Sequence, residues 1–330
     1  MAVKRILFVH NAMTSFVRID MDILSRHYEV EELYLRRRYR LNPFAIWRAV
    51  SRNDLVFAWF ASWHSLLPVC FASLQHTHSV LITGGYDTAN VPLAGYGNQR
   101  NGWKRIITNF LLHRASRLIC NSNYASKEAV ERARITPEKI SMVYHGIPDR
   151  HFPDTPKKKM ALNVGNVLKE NLKRKGIEPF LAAGALLPSY LFIQVGQWKD
   201  DSHQLLKRYL GANVELRGFV SEEELNTLFS ESRVYIQPSL HEAFGLSVVE
   251  AMQAGCIPLV SRYGALPEVV GEFGILLDDT SPEAIVRGIS EAENCRHEPS
   301  DIRQFVLNKY TIASREEGLL KCIGQLASSK

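Results

Sequence analysis

Apolar segments of strand length alternate with segments of helical periodicity along almost the whole chain, and this alternation restricts the possible folds more than any other feature. It is typical of βαβ units, in which helices cover both faces of a parallel sheet. In the first half the predicted strands are residues 5–10, 30–35, 54–60, 79–85, 117–122 and 140–146. In the second half they are residues 160–166, 190–196, 214–219, 233–239, 256–261 and 274–279. The pattern predicts an α/β protein with one doubly wound sheet in each half.

A proline-rich segment, PDRHFPDTPKKK at residues 148–159, separates the two halves and is typical of an exposed linker. The length of 330 residues also exceeds what one simple core organises. We therefore predict a first domain at residues 1–150 and a second at 151–312, which imply a cleft for a small ligand. In open α/β sheets, ligands bind beyond the carboxyl ends of the strands, so the loops that follow strands are the candidate sites.

Composition and charge narrow the class of protein further. No segment approaches the roughly 20 apolar residues of a membrane-spanning helix, and the first residues lead directly into a strand with no signal-peptide cleavage site. We therefore expect a cytoplasmic protein. Five cysteines without a CxxC pair suggest neither disulfides nor zinc. The net charge of +6 is uneven, because the first 145 residues carry 19 Lys/Arg against 10 Asp/Glu and the remainder 21 against 24.

The densest basic segment is LRRRYRLNPFAIWRAV at residues 35–50, where arginines alternate with Tyr39, Phe44 and Trp47. Segments of this kind lie on anionic membranes, and Trp103, with the basic residues near it, adds to the pattern. The basic members are Arg36, Arg37, Arg38, Arg40, Arg48, Arg52, Lys104, Arg105 and Arg114. The hypothesis is a protein peripheral at the inner face of a membrane; the alternative is an ordinary basic surface.

The segment PSLHEAFGLSVVEAMQAG, residues 238–255, follows a predicted strand and begins a predicted helix. The first turn of a helix offers backbone N–H groups to an anion, and Gly245 lets a phosphate approach closely. Glu242 and Glu250 lie on either side of this turn, and carboxylates accept hydrogen bonds from paired hydroxyls. Phosphate between two diols describes a nucleotide-diphosphate sugar. On spacing alone, the alternative is a capping acid at 242 and a solvated helix residue at 250.

The sequence EAFGLSVVEAMQAGCIPLVSRYGALPEVVGEFGILL, residues 242–277, closely resembles the donor-site signature of the retaining glycosyltransferases of family 4, which have the GT-B fold. The resemblance extends over residues 218–239 and, more loosely, over the whole chain. It implies that Glu250 binds the ribose, that Glu242 binds the transferred sugar, and that the amides of Phe244, Gly245 and Leu246 hold sugar and diphosphate. It also implies that a last helix, residues 313–330, crosses back to the first domain.

The resemblance fails at one phosphate-binding position. The family has Gly-Arg after the first strand of the second domain and Lys-Gly a few residues later, whereas this chain has Gly165-Asn166 and then Lys175-Gly176 after a longer interval. Because asparagine cannot neutralise a phosphate, we expect Lys175 to keep the family role and Arg174 or Lys173 to replace the lost arginine. Lys169 and Lys173 are otherwise typical of a solvated loop.

Candidate acceptor-side residues follow strands of the first domain. The loop HNAMTSF, residues 10–16, lacks the family's glycines but contains Ser15. Two glycines precede Tyr86 and Asp87, where an aspartate could orient an acceptor hydroxyl or form an Asx-turn. Two further residues end strands, Ser122 and His145, the latter being a ligand or a hinge residue. The acid pair Asp20-Met21-Asp22 is predicted to be solvated surface.

The resemblance implies a metal-independent, retaining transfer to a hydroxyl acceptor, lipid-linked or glycan, with no cofactor beyond a nucleotide sugar, most readily UDP or GDP. In the family the leaving phosphate is thought to receive the acceptor proton, so no side-chain base is needed. Glu242 and Lys175 are then the residues closest to the chemistry. Two alternatives stay open: an inactive partner subunit, motivated by Asn166 and the missing glycines, and a sugar-nucleotide epimerase. A nucleotide-dependent oxidoreductase is excluded because no GxGxxG follows a strand.

Overall fold

A computed structural model describes residues 3–36, 42–100, 102–153 and 155–328. The chain divides into two compact units. Unit 1 comprises residues 1–90, 96–146 and 312–330, and unit 2 comprises residues 91–95 and 147–311. Residues 147–150, predicted to belong to the first domain, lie in unit 2, where the Ile147 N–H donates to the Tyr310 carbonyl at 2.9 Å.

Unit 1 is built on a six-stranded parallel sheet. Its strands are β1 (Arg5–His10), β2 (Glu29–Tyr34), β3 (Leu55–Trp59), β4 (His78–Ile82), β5 (Arg117–Cys120) and β6 (Ile140–Met142). The spatial order is β2-β1-β3-β4-β5-β6. Strand β3 is buried at all five positions, as expected of a strand covered on both faces.

Helices cover both faces of this sheet. They are α1 (Ser15–Ser25), α2 (Pro43–Ser51), α3 (Trp63–Leu74), α4 (Gly102–Arg114), α5 (Asn123–Ala133) and the last helix of the chain (Ile312–Ser328). On one face, α2, α3 and α4 contribute Ile46, Val69 and Leu111 to a single apolar cluster. On the other, the last helix contributes Leu319 and neighbouring residues to a cluster with β1.

The prediction that Asp20 is solvated is wrong. Asp20 is 1% exposed and forms two hydrogen bonds with Arg315 of the last helix, at 2.9 and 2.8 Å. Arg315 also donates to Asn121 and to the Val143 carbonyl. The pair lies in unit 1, where it links α1 to the last helix. Asp22, the other acid of the predicted pair, is exposed, as predicted.

Unit 2 repeats the architecture with a second six-stranded parallel sheet. Its strands are β7 (Lys158–Val164), β8 (Leu191–Val195), β9 (Val214–Arg217), β10 (Ser232–Gln237), β11 (Ile257–Ser261) and β12 (Ile275–Leu277). The spatial order is β12-β11-β10-β7-β8-β9, so β7 and β10 are central. The two described sheets confirm the predicted doubly wound α/β class.

Helices surround the second sheet as well. They are α6 (Lys169–Arg174), α7 (Ile177–Leu186), α8 (His203–Leu206), α9 (Glu222–Glu231), α10 (Leu246–Gln253), α11 (Leu266–Val270), α12 (Pro282–Glu293) and α13 (Pro299–Lys309). The last helix of the chain, which belongs to unit 1, is α14. The helical patterns of the second half lie near residues 176–187, 202–210, 222–230, 246–254, 282–294 and 314–327, so they do not predict α6, α11 and α13. Lys169, Lys173 and Arg174 therefore lie on helix α6 rather than in a loop. Of these three side chains, only Arg174 is buried.

None of the described helices combines the length and the apolar character needed to cross a membrane.

Candidate functional site

The turn between β10 and α10 places Glu242 close to the start of a helix. Helix α10 begins at Leu246, after Gly245 with a φ of 105°. A side chain is strained at that φ, so glycine suits the position. The ring of Phe244 is buried against Tyr310, with centroids 5.3 Å apart. The Leu246 and Ser247 N–H groups therefore lie in a first turn, where helices leave donors without an intrahelical acceptor.

Glu242 is the centre of a charged cluster in unit 2, which we call the Glu242 cluster: Glu242, Lys175 and Arg174. The Glu242 Oε1 lies 3.0 Å from the Lys175 Nζ and 3.6 Å from the Arg174 Nη1. It also accepts a hydrogen bond from the Ser239 hydroxyl at 3.2 Å. Burial alone would raise the pKa of Glu242, but Lys175 and then Arg174 outweigh it and hold the pKa at about 2. The carboxylate is thus ionised at any physiological pH.

The end of α6 fixes the two cations of this cluster. The Arg174 carbonyl accepts the Leu240 N–H at 2.7 Å, and the Arg174 Nη1 donates to the His241 carbonyl at 3.2 Å. Gly176 has a φ of 65°, and a Cβ there would lie 2.3 Å from the Pro238 carbonyl oxygen. A glycine is therefore required where the chain leaves Lys175 and passes under the loop that follows β10.

Of the two arginine replacements left open, the structure brings Arg174 to Glu242. Arg174 is 8% exposed, and its Nη2 donates to Asn171 Oδ1 at 2.7 Å. Lys173 and Lys169 are exposed. Asn166 is exposed too, and its backbone carbonyl accepts a hydrogen bond from Asn171.

Gly165 lies next to the stem of Lys175, where a Cβ would be 3.0 Å from the Lys175 Cδ. The absence of a side chain at residue 165 therefore leaves room for the Lys175 side chain to extend toward Glu242. Gly165 and Asn166 follow β7 directly, and neither residue brings charge to the cluster.

A second loop of unit 2 supports the backbone of Glu242. The Ala265 N–H donates to the Glu242 carbonyl at 2.8 Å. Gly264, with a φ of 73°, lies so close that a Cβ would be 2.5 Å from the same carbonyl oxygen. The glycine of the predicted motif is thus explained by close approach of two loops.

Glu250 has a partner that the sequence did not predict. Its Oε1 accepts a hydrogen bond from the Arg150 Nη2 at 2.9 Å, while the Arg150 Nε lies 3.7 Å from Glu222. Burial raises the pKa of Glu250 and Arg150 opposes this shift. Arg303 donates to the Arg150 carbonyl at 3.3 Å. Nothing in the linker composition could have indicated this pairing, which depends on where residues 148–150 lie.

Unit 1 contains a cavity of about 600 Å³ at the carboxyl ends of β1, β3 and β4, which we call the unit 1 cavity. Its apolar wall consists of Phe60, Trp63, Leu66, Trp103 and Ile107. Polar lining residues are Asn11, Ser62, His64, Tyr86, Asp87, Asn98, Lys104 and Thr108. A large apolar cavity with a few polar groups has the character of a ligand site.

Asp87 organises the rim of this cavity. Its Oδ1 accepts the Ala61 N–H at 3.1 Å and its Oδ2 accepts the Gly84 N–H at 2.8 Å. The side chain is 2% exposed, and burial raises the pKa of Asp87 to about 6 despite these hydrogen bonds. Tyr86, beside it, packs edge to face on Tyr96 at 4.9 Å between centroids.

The other three predicted acceptor-side residues do not line the unit 1 cavity. Ser15 is exposed at the start of α1. Ser122 is fully buried, and its hydroxyl caps α5 by accepting the Ala125 N–H at 2.9 Å. His145 is buried against Trp59, with ring centroids 6.0 Å apart, and burial holds its pKa well below the usual range. Ser122 and His145 therefore contribute to the core rather than to an open surface.

Among the described residues, no three His, Cys, Asp or Glu side chains gather in a way that could hold a metal ion.

Comparison with known families matches both units. The model for "Glycosyl transferases group 1" matches residues 149–307, and that for "Glycosyltransferase Family 4" matches residues 17–151. The O-antigen chain mannosyltransferase B of Escherichia coli is 30% identical over 179 residues, which are 52% of this chain and 42% of the relative. The phosphatidylinositol N-acetylglucosaminyltransferase GPI3 subunit of Saccharomyces cerevisiae is 26% identical over 226 residues, 61% of this chain and 48% of the relative. The chain thus spans about half the length of these relatives.

Solved structures match over essentially the full length. A glycosyltransferase from Rickettsia africae superposes with a TM-score of 0.74 and 14% identity, covering 100% of both chains. An Anabaena protein in complex with UDP and glucose gives a TM-score of 0.73 and 15% identity, covering 99% of this chain and 100% of that one. At such identities the likeness concerns the fold, and it confirms the predicted GT-B class.

Proposed function

The chain belongs to family 4 of the glycosyltransferases and has their GT-B fold, and from this premise we propose that it moves a sugar from a nucleotide-diphosphate sugar to a hydroxyl acceptor with retention of configuration. The observation that carries the proposal is the Glu242 cluster at the start of α10. A buried arginine and a half-buried lysine beside Glu242, just before α10, suit a departing diphosphate, because charge grows there in the transition state.

Each member of the cluster has a proposed role. Lys175 and Arg174 neutralise the diphosphate as the bond from the sugar carbon to the phosphate oxygen breaks. Glu242 accepts hydrogen bonds from the hydroxyls of the transferred sugar through the oxygen that does not face Lys175. The amides of Phe244, Gly245 and Leu246 complete the site for sugar and diphosphate. Two cations supply the neutralisation that a metal ion provides in other transferases, so the reaction is proposed to be metal-independent.

The acceptor oxygen attacks from the face that the leaving group occupies, and its proton passes to the leaving phosphate oxygen. The electron pair of the broken bond remains on the nucleoside diphosphate, and the new bond joins the sugar carbon to the acceptor oxygen. No side-chain base is needed in this scheme. Asp87 is accordingly proposed to shape the acceptor region through the Ala61 and Gly84 amides rather than to remove a proton.

Glu250 is proposed to bind the ribose, with Arg150 as a positioning residue. The carboxylate accepts hydroxyl hydrogen bonds best when ionised, and burial works against ionisation. The Arg150 guanidinium, 2.9 Å away, favours the charged form and holds one oxygen in place. UDP or GDP is the proposed carrier, a choice supported by the UDP bound to the Anabaena neighbour.

The acceptor is proposed to be a hydroxyl on a lipid-linked molecule or a glycan. The apolar wall of the unit 1 cavity supports an acceptor with apolar parts. As their names state, the E. coli relative is a mannosyltransferase of the O-antigen chain and the yeast relative is a subunit of a phosphatidylinositol N-acetylglucosaminyltransferase. A protein that meets such acceptors is proposed to work in the cytoplasm at the inner face of a membrane.

The test is release of nucleoside diphosphate from UDP-, GDP- and ADP-sugars, with and without a membrane extract as acceptor source, by the wild type and by Glu242→Ala. We expect release from one donor by the wild type and loss of at least about a hundredfold in the variant. Release from no donor, with donor binding retained, would favour an inactive partner subunit. Conversion of the sugar nucleotide without diphosphate release would indicate an epimerase.

A further inference from the structure

Helix α4 has two apolar faces, and only one of them is buried. Leu111 and Leu112 are fully buried in the core of unit 1. A second set lies at helical positions i, i+3, i+4 and i+7, which form one stripe along a helix. We call this set the α4 stripe: Trp103, Ile106, Ile107 and Phe110, which are 61%, 70%, 39% and 50% exposed. A contiguous exposed stripe of large apolar side chains indicates an interaction surface.

The sequence on both sides of the α4 stripe carries charge of one sign only. Residues 88–127 contain six Lys/Arg and no Asp or Glu, in a chain that is otherwise well supplied with acids. Arg105 and Arg114 are exposed on α4 itself. Lys104 lies partly over the ring of Trp103, 5.9 Å from its centroid. Apolar side chains bordered by basic ones are the composition of helices that lie in the plane of an anionic lipid surface.

The same layer of unit 1 extends this surface beyond α4. Helix α3 packs against both α4 and α2. On α2, Phe44 is 69% exposed and Trp47 39% exposed, with the Arg48 guanidinium 5.4 Å from the Phe44 ring centroid. Aromatic rings with neighbouring basic groups are typical of the membrane interface. The residues 37–41 of the basic segment that the sequence singled out lie outside the described residues.

We propose that the α4 stripe, with Phe44 and Trp47 of α2, docks unit 1 onto an anionic lipid bilayer. A second copy of the chain fits less well, because a symmetric interface would bring the basic border of each copy against that of the other. A bilayer containing anionic lipid offers both an apolar interior for the stripe and negative headgroups for its border.

This docking would also give the unit 1 cavity a membrane-side entrance. Trp103 and Ile107 belong both to the stripe and to the cavity wall, and Lys104 lines the cavity beside them. An acceptor carried on a lipid could therefore enter the cavity from the bilayer, with its anionic headgroup near Lys104. This second step rests on the proposed function, whereas docking itself does not.

The test is co-sedimentation of the full chain with vesicles of phosphatidylcholine, with and without phosphatidylglycerol, at low and high salt. The test variant is Ile106→Glu/Phe110→Glu, whose positions do not line the cavity. The matched control is Leu205→Glu, 54% exposed on α8 of unit 2. A third variant, Arg105→Gln/Arg114→Gln, tests whether the basic residues beside the stripe contribute to vesicle binding. Because all these side chains are exposed, folding should survive, and the thermal midpoint of each variant verifies this.

We expect the wild type and Leu205→Glu to pellet only with phosphatidylglycerol vesicles and less so at high salt. Both α4 variants should bind about tenfold more weakly or worse. Pelleting that is unaffected by Ile106→Glu/Phe110→Glu, or no pelleting of the wild type, overturns the proposal. A dimer in light scattering that the same variant dissociates would assign the stripe to a second copy instead. Donor binding retained in a variant that no longer binds vesicles separates failure of docking from failure of the proposed function.

Discussion

Two buried carboxylates, one in each unit, have pKa values shifted in opposite directions. Glu242 in unit 2 has a pKa of about 2, because Lys175 and Arg174 outweigh the effect of its burial. Asp87 in unit 1 has a pKa of about 6, because burial is opposed only by backbone amides. Burial is common to both, so the difference lies in the cations. The Glu242 cluster brings charges of both signs together, as a diphosphate site requires, whereas Asp87 lies at the rim of a largely apolar cavity.

The first prediction removes the charge of Glu242. Glu242→Gln keeps the shape but leaves Lys175 and Arg174 without a carboxylate, so we expect a loss of stability of about 3 kcal/mol. Nucleoside diphosphate release should fall about 10²- to 10³-fold. The pKa of Glu242 is lowered from 4.5 to about 2, so its stabilising contribution is present above about pH 4.5 and lost as the pH falls toward 2. The free energies of unfolding of the wild type and the variant, measured with urea at several pH values, should therefore approach each other as the pH falls toward 2.

Glu291→Gln is the control for that experiment, because Glu291 is exposed on α12 and lies outside the cluster. Release by Glu242→Gln within twofold of the wild type would contradict the proposed role of the carboxylate.

The second prediction separates two lysines of one segment. Lys175 reaches Glu242 at 3.0 Å, whereas Lys173 is exposed. Lys175→Ala should lower kcat/KM for the donor by about 10- to 100-fold, since one of two cations on the leaving group is lost. Lys173→Ala should leave it unchanged. Steady-state kinetics with the same donor measures kcat/KM of both variants. Equal losses in the two variants would mean that the lysines contribute only through the overall positive charge of the segment and not through specific contacts.

The third prediction concerns the positioning role of Arg150. In Arg150→Met, burial and the neighbouring Glu222 act on Glu250 without opposition, so the pKa of Glu250 should rise further. Donor KM should increase about tenfold and should fall again as the pH is raised, because a larger fraction of the carboxylate is then ionised, with kcat little changed. Arg150→Lys should restore most of the affinity. A KM that is raised equally at every pH would indicate a structural role alone.

The fourth prediction concerns Asp87 in unit 1, where we expect the smallest effect on donor binding. The pKa of Asp87 is raised from 3.8 to about 6, so its contribution to stability is full below about pH 3.8 and lost as the pH rises through 6. Asp87→Asn does not titrate. The stability of the variant relative to wild type should therefore improve with pH between about 4 and 7, by up to about 3 kcal/mol. Urea unfolding measures this, and a difference that does not vary with pH would contradict the pKa.

Donor binding by Asp87→Asn should stay within about twofold of the wild type, because Asp87 has no proposed donor contact. Loss of donor binding comparable to that of Glu242→Gln would remove the distinction between the two carboxylates.

The sequence was sufficient to predict the strands, and it singled out Glu242 and Glu250 as candidate donor-site residues. Strand-length apolar runs are unambiguous in a doubly wound sheet, and Glu242 and Glu250 lie in a motif of fixed spacing, whereas Lys175-Gly176 matches the family only after a longer interval. Helix α6 was missed because its charged residues resemble a solvated loop, and it is α6 that separates Arg174 from Lys173. Arg150 was missed since a linker has no periodicity. The helical pattern of residues 101–114 indicates helix α4, but periodicity does not reveal which of two apolar faces is buried.

The most direct test of the central claim, that the Glu242 cluster binds a nucleotide-sugar donor, is the thermal unfolding midpoint with a panel of UDP-, GDP- and ADP-sugars. Binding to the folded state raises stability by mass action. We predict that at least one donor raises the midpoint of the wild type and of Asp87→Asn by roughly 3 °C or more at saturation. The same donor should leave Glu242→Gln and Lys175→Ala nearly unshifted. No shift with any donor, or equal shifts in all four proteins, would contradict the account.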